Sequence, residues 1–557
     1  MVDTGNRSMD VETEDNSIDV DNEDSVMDPL DLLLSLLSQV FVLVVMIGNL
    51  RAIYRERYCL PGSSCWPSVQ DVARFGHTLS GSLVHPSSVQ YETLVTMQNL
   101  RTTKYPQLVI LAQNTGDVQK SILFARQYEL KVTVLSSGHD YIGRSTGTGT
   151  MQINLSRMTN TSVNLVSSRN AAGEITLESG NTWGKVYREV DGLNRVIVGG
   201  AAATVGMGGY ILGGGHSPFS PALGLAVDNV LEVEMVTANG SVVLASAEGT
   251  RMVDSMGVET NDTNNELFWA LRGGGGGTFG VVTKFTYKLH YAPNTTVSFS
   301  CVYPIEYING TVISKSVLGH IGRFLTTLPK EWGGYAMFTR RGQQDSSFRS
   351  VVSLYLNFLG NWQNDLRSAP DALMHFHPEL QLFCAYANHS SFWDYASRSF
   401  MNEGLRYRAF VASTLLQNSS FSDDWVDFIV GNIGTTTLPS RGFSWCTVTL
   451  TGGVVNDVAE NATAVHPAFR RSRASFTCSA MWMGHGSDDD RHEKAAVLAS
   501  EGLSRFGEGV YLNEPTGVLQ NWKIDLWGGH YNRLLELKHV IDPDNFFTCK
   551  YCVGSDE

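Results

Sequence analysis

The sequence predicts an α+β protein built from two packed parts. Three observations predict it. A strand–helix–strand pattern occupies 108–135, a glycine-rich and strand-like region runs from 175 to 290, and residues 292–499 mix strand-like runs with helical patterns and many aromatics. At 557 residues the chain also exceeds what one ordinary core organises. A formal net charge of −14, with no basic cluster, argues against a nucleic-acid-binding surface.

Residues 1–31 are crowded with Asp and Glu, and Arg7 is their only base, so this leader reads as disordered: it has little to bury. Residues 32–50, LLLSLLSQVFVLVVMIGNL, carry no charge and are long enough to span a bilayer as a helix at roughly 1.5 Å per residue. They read as a membrane anchor or a signal segment. Arg51, Arg55 and Arg57 follow the run, which by charge alone would leave the body in the cytosol. Two features point the other way. Cys59 and Cys65, in CLPGSSC, look like a small disulfide loop. Glycosylation acceptor triplets recur at Asn160, Asn239, Asn261, Asn294, Asn309, Asn388, Asn418 and Asn461. The expected location is the secretory pathway, secreted or membrane-anchored, with Met27 as a candidate start of a signal segment.

Within the body, LVILAQ (108–113) reads as a buried strand. The following helix places Val118, Ile122 and Ala125 on one face, with Thr115 or Asp117 as candidate caps. KVTVL (131–135) is a second strand, and the turn SSGHDYIGRS follows it. Ligands of such α/β units often sit where strands end. Further on, the five-glycine run in FWALRGGGGGTFGVVTKF is flanked by apolar residues, so it marks a close backbone approach and not a linker. A last helix, YNRLLELKHV, ends before Pro543.

Backbone N–H groups bind phosphate where no Cβ blocks approach. The turn offers Ser136, Ser137, Gly138, Tyr141 and Ser145 for this, and GMGGYILGGG (206–215) offers more. Together they support a large pyrophosphate-containing cofactor held by several loops, outside the usual Rossmann pattern. His139 has three readings. No second ligand stands at metal spacing nearby. It is a general base or a plain turn residue, or it is a covalent tether, since a neutral imidazole nitrogen is a good nucleophile.

SSGHDYIGRSTGTG resembles the flavin-attachment loop of the berberine-bridge-enzyme-like oxidases, in the vanillyl-alcohol-oxidase (PCMH-type) flavoprotein superfamily. TVGMGGYILGGGHSPFSPALGLAVDNV and LFWALRGGGGGTFGVVTKF resemble the family's other FAD loops. The likeness covers about 105–290 and 511–553. CLPGSSCWPS and DPDNFFTCKYCVGS are most similar to the secreted fungal branch. The resemblance implies an FAD-binding part at 60–291 (core 105–290), a sheet-and-helix substrate domain at 292–499, and a C-terminal segment, 500–557, that returns to the FAD part.

It also implies site residues. His139 would bond the 8α-methyl of FAD. The family's second tether, a cysteine in Cys-Pro-Thr-Val-Gly, is replaced here by Ala202, so one bond is expected. Leu135 and Ser137 depart from the usual Arg and Gly. Asp140, Thr204, Gly206, Gly209, Gly214, Asn229, Gly277, Gly280 and Asn545 join the expected cofactor contacts, with Asp228 and Asn229 orienting a loop. Phe546 is expected to approach the flavin beside Asn545. In YLNEP, Glu514 takes the place of the family's tyrosine base, and it would serve if burial raised its pKa toward neutrality. Tyr511 is the second candidate base, and His216 a substrate-lining residue. No metal is expected. Cys549 and Cys552 read as a structural disulfide or two unpaired thiols. The implied reaction is oxidation of an alcohol or amine carbon of a small natural product, with O2 as acceptor. The alternatives are a carbohydrate oxidase and a non-catalytic flavin-fold binding protein.

Overall fold

The computed structural model describes residues 58–293, 295–312, 315–340, 347–360, 367–376, 378–399, 406–433, 443–482, 486 and 489–557. The expected leader (1–31), the apolar segment (32–50) and Asn294 lie outside the described residues. No helix among the described residues is long and apolar enough to cross a membrane.

The first sheet has four strands: β1 (Ser82–Val84), β2 (Leu108–Leu111), β3 (Val132–Leu135) and β4 (Met151–Asn154). They stand in the order β1-β2-β4-β3, with β4 parallel to both its neighbours. Every residue of β2 and β4 is buried, as a parallel strand covered on both faces requires. The helix Thr115–Gln127 makes the crossover from β2 to β3. Its cap is Asn114, not Thr115 or Asp117: the Asn114 side chain accepts from Asp117 N. Asp117 turns inward and accepts from Ser80 N, Gly81 N and Gln113 N. The Thr115 hydroxyl donates to Glu234.

The chain next lays down β5 (Thr161–Asn164), β6 (Glu174–Glu178), β7 (Arg195–Val196), β8 (Val230–Val236), β9 (Val242–Ser246), β10 (Gly249–Val253), β11 (Glu259–Asp262), β12 (Val281–Lys288) and β13 (His290–Tyr291). β7 and β13 pair with each other. The other seven form an antiparallel sheet in the order β11-β10-β9-β8-β12-β6-β5. The helix Trp183–Asp191 seals it with Trp183, Val186, Tyr187 and Val190, all fully buried at the 3.6-residue period.

The third sheet comprises β14 (Thr296–Tyr307), β15 (Trp332–Arg340), β16 (Phe348–Phe358), β17 (Phe383–His389), β18 (Arg408–Leu416), β19 (Phe443–Leu450) and β20 (Ala474–Trp482). It is antiparallel throughout, in the order β17-β14-β16-β15-β19-β20-β18. Side chains alternate between its faces. Phe299, Phe338, Leu354, Val448 and Phe476 enter an apolar core with the helices Lys315–Thr327 and Asp423–Ile433. The residues between them face a cavity. Two disulfides, Cys301–Cys384 and Cys446–Cys478, join directly opposed residues of neighbouring strands on the core side. Cys59–Cys65 and Cys549–Cys552 are also bonded.

Residues 58–557 form one compact unit. The C-terminal stretch belongs to two of its cores. Phe546 and Phe547 pack with the first sheet's side chains, and Tyr531, Leu534 and Val553 with the second sheet's. A buried ion pair fixes this return. Lys538 Nζ donates to Asp542 (2.6 Å), Thr278 O and Phe547 O, while Asp542 accepts from Phe546 N and Phe547 N. Lys538→Met should therefore cost roughly 3–5 kcal/mol, since it strands a buried carboxylate. Lys523→Met, which removes a solvent-accessible pair with Asp556 and cation–π contacts with Trp522 and Tyr531, should cost much less. Thermal midpoints of the two variants against the parent check this; equal shifts would refute it.

Candidate functional site

A cavity of about 820 Å³ opens between the glycine loops, the third sheet and the C-terminal segment. That is at the large end for a small-molecule site.

Its first wall is the turn after β3. Gly138 has φ +84°, a left-handed conformation that favours glycine, and it presents His139 at the bend. His139 lines the cavity, and its Nε2 lies 3.0 Å from Thr204 Oγ1. Burial pushes the imidazole down to about 4, so the ring is neutral at neutral pH. Asp140 accepts from Arg144 Nε (2.7 Å), and Arg144 Nη1 donates to Leu512 O, tying the turn to the C-terminal segment.

The second wall is the loop before the helix Met207–Leu212. Ser137, the departure from the family's glycine, accepts from Gly206 N at 2.7 Å. A Cβ at Gly206 would collide with the hydroxyls of Ser136 and Ser137, so the two loops meet only because residue 206 is glycine. Gly276, Gly277 and Gly280 supply a third wall, and Gly275 N donates to Leu212 O. The five-glycine run is thus packed structure.

These walls fit FAD. They present backbone at Gly138, Gly206, Gly209 and Gly277, and an unfilled polar group: the Ser145 hydroxyl lines the cavity, buried and without a hydrogen-bond partner. The residues expected at the cofactor do not all face it. Ser136, Ser137, Gly138, His139, Asp140, Tyr141, Ser145, Gly206, Gly209, Gly277 and Gly280 line the cavity. Thr204 reaches it only through His139. Gly214 is turned away, with its pro-Cβ side against Val465. Asn229 is buried behind the loop, donating to Leu223 O and Leu225 O and holding His290 at 2.7 Å. Asn545 donates to Gly554 O and Phe546 packs in the core, whereas Phe547, Thr548 and Cys549 face the cavity. Ala202 also lines it, so no thiol stands at that place.

Opposite the glycine loops sits a polar cluster. Tyr511 is buried, packs against His216 with the rings tilted by 48° (4.5 Å between ring centroids), and accepts from Asn513 Nδ2 at 2.9 Å. Burial and the neighbouring Glu514 charge raise its phenol well above the usual value, which leaves it a poor base near neutrality. Glu514 is largely buried, and all three of Tyr511, His216 and Glu514 line the cavity. His216 Nε2 lies 3.3 Å from Glu514 Oε1, at ion-pair distance but off line for a good hydrogen bond. Thr477, on β20, donates its hydroxyl to Glu514 Oε2. Ser413, on β18, donates to Glu514 O at 2.9 Å.

The expected upward shift at Glu514 is corrected by this arrangement. Burial pushes its pKa up, but the His216 charge, contact with His216 and the Thr477 hydroxyl outweigh burial, and the carboxyl sits below the usual glutamate range. It is ionised at neutral pH. Sequence reasoning missed Thr477 and Ser413. Their only signal was alternation: Thr477 and Ser479 leave β20 on the face opposite Phe476 and Cys478.

The comparisons with known proteins agree with this geometry. Residues 106–246 match the FAD binding domain family, and 510–553 match the family described as berberine and berberine like. An uncharacterized FAD-linked oxidoreductase of Arthroderma benhamiae is 30% identical over 484 residues, 81% of this chain and 78% of the relative. The VAO-type flavoprotein oxidase VAO615 of Thermothelomyces thermophilus is 27% identical, covering 89% and 92%. The crystal structure of the VAO-type flavoprotein MtVAO713 from Myceliophthora thermophila C1 superposes with a TM-score of 0.74 at 22% identity, over 90% of this chain and 97% of that one, and shares the fold. With its glycine loops, its antiparallel cover sheet and its C-terminal return all in place, the chain belongs to the berberine-bridge-enzyme-like FAD-linked oxidoreductases of the vanillyl-alcohol-oxidase family.

Proposed function

We propose that this enzyme is an oxidase of the secretory pathway that takes two electrons from an alcohol or amine carbon of a small natural product, with FAD held by one bond from His139. The observation that carries the reading is the meeting of His139, the glycine loops and Glu514 on one cavity. When bound, FAD supplies a two-electron acceptor for hydride, with O2 as terminal oxidant and H2O2 as product.

The chain's own residues divide the remaining work. His139, neutral and fixed by Thr204, offers a ring nitrogen to the 8α-methyl carbon. It would hold FAD there through one N–C bond, and the two protons and two electrons released in forming that bond would pass to O2 as H2O2. Ala202 offers no second nucleophile. Glu514, ionised, takes the proton from the substrate O–H or N–H, and Thr477 and His216 hold its two oxygens. Tyr511 keeps its proton and braces His216 by ring contact. Residues of the cover sheet, among them Tyr335, Met337 and Trp445, line the cavity.

A second reading, a carbohydrate oxidase, is favoured by the chemistry of that sheet face. Ser298, Ser300, Thr447 and Thr449 present hydroxyls there, and Tyr355 and Trp445 present rings. Such a surface suits a neutral, hydroxyl-rich ligand.

Acid-precipitated enzyme should stay yellow, and His139→Ala should release the colour to the supernatant; colour retained by the variant would end the single-tether reading. Peroxide release across a panel of sugars, alcohols and amines separates the two substrate readings, and peroxide from none of them under air would count against an oxidase. On a substrate so found, Glu514→Gln should lower kcat by about 10²–10⁴-fold; unchanged turnover would remove Glu514 as base. Because the base acts when ionised and its pKa is depressed, kcat should hold as pH falls and drop only on passing through that low pKa. Thr477→Val removes a donor that favours the ionised form, so this acid limb should move to higher pH. An unmoved limb in the pH–rate profile would show that Thr477 does not act on Glu514.

A further inference from the structure

Eight asparagines in Asn-X-Ser/Thr triplets lie among the described residues: Asn154, Asn160, Asn239, Asn261, Asn309, Asn388, Asn418 and Asn461. Asn154 is 2% exposed, on the central parallel strand β4. The other seven are all exposed.

Four of those seven stand at sheet edges. Among the described residues both seven-stranded sheets are open, so each has two outer strands. In the second sheet these are β11 and β5. Asn261 lies within β11, and Asn160 immediately precedes β5. In the third sheet they are β17 and β18. Asn388 lies within β17, and Asn418 follows the end of β18 by two residues. An outer strand offers unpaired backbone groups to another chain, and proteins blunt such edges by covering them.

The edges at β11 and β17 are the two that carry an acceptor asparagine within the strand itself, and both stand beside exposed apolar side chains. All four residues of β11 are exposed, and Met256 (84%) and Val258 (55%) stand open in the turn before it. Leu382 (42%) and Phe383 (55%) are exposed where β17 begins. Extended backbone beside exposed apolar side chains is an adhesive edge. The Ser or Thr of each triplet, Thr263 and Ser390, is exposed as well.

We propose that Asn261 and Asn388 carry N-linked glycans that mask the open edges of the two large sheets, and that Asn154 stays unmodified in the folded protein. The inference rests on the secretory part of the proposed function and is independent of the oxidase chemistry. In the modification, the asparagine amide nitrogen displaces a lipid diphosphate from the anomeric carbon of a lipid-linked oligosaccharide. An N–C bond forms, the C–O bond to the diphosphate breaks, and the amide proton leaves with the diphosphate. No electrons are exchanged.

The test uses the full chain secreted from a yeast host. Treatment with peptide N-glycosidase in heavy-oxygen water converts each occupied asparagine to labelled aspartate, read by peptide mass spectrometry. Label at Asn261 and Asn388 with none at Asn154 is the expected result. Label elsewhere but not at Asn261 and Asn388 overturns this inference alone. No label at any site overturns both it and the secretory reading. The masking is read separately by light scattering of the Asn261→Gln/Asn388→Gln double variant. A rise of roughly twofold or more in average mass over the parent is expected from edge pairing, with the peroxide-forming activity per flavin unchanged. A variant of unchanged mass shows that the glycans do not mask the edges.

Discussion

The close approach of two loops governs the site. The Ser137 hydroxyl bonds Gly206 N at 2.7 Å, and there is no room at residue 206 for a Cβ. This contact sets the spacing between the turn that carries His139 and the loop that carries Thr204, and hence the bond that fixes the imidazole. It also leaves a wall of bare backbone. A diphosphate needs such donors, which side chains would block.

The opposite wall obeys a different rule. A strand's side chains alternate, so a sheet with one face in an apolar core commits the other face in the same stroke. In β20, burying Phe476 and Cys478 obliges Thr477 and Ser479 to point into the cavity. The Cys446–Cys478 disulfide joins the neighbouring strands in the register that sets Thr477 opposite Thr447. Glu514 arrives from a separate segment and is met by this hydroxyl and by His216. Its charge state then follows from a competition. Desolvation alone would favour the neutral acid, but His216 and the Thr477 hydroxyl within contact distance reverse the sign. A buried carboxylate can thus be an ionised base without being a weakly acidic one.

The third constraint is the C-terminal return. Lys538 and Asp542 are nearly inaccessible to solvent, and their bonds reach Thr278 O in the glycine-run loop and the backbone at Phe546 and Phe547. Removing two charges from water is worthwhile only when both are well satisfied, as here: Lys538 uses all three protons and both carboxylate oxygens of Asp542 accept. The result is that Phe547 to Cys549 and Tyr511 to Glu514, far apart in the chain from His139, line the same cavity.

Local information was enough for much of this. The parallel strand–helix–strand unit follows from apolar runs and helical periodicity within some 30 residues, and the cap lies one residue before Thr115 and three before Asp117 because Asn, Thr and Asp side chains all suit a cap. The packed nature of the glycine run follows from its apolar flanks, and His139 from its place on a glycine turn after a strand. What the sequence could not carry was the facing of side chains across distant segments. Whether Asn229, Gly214 and Asn545 touch the cavity or brace it from behind depends on backbone direction in irregular loops, which has no period to read. The partners of Glu514 lie 37 and 298 residues before it, at Thr477 and His216, and its pKa is a sum over them. Sequence alone determined which residue types and local elements are present; the tertiary structure decided which charges and hydroxyls meet, because electrostatic and hydrogen-bonding energies depend on distance in space and not on distance along the chain.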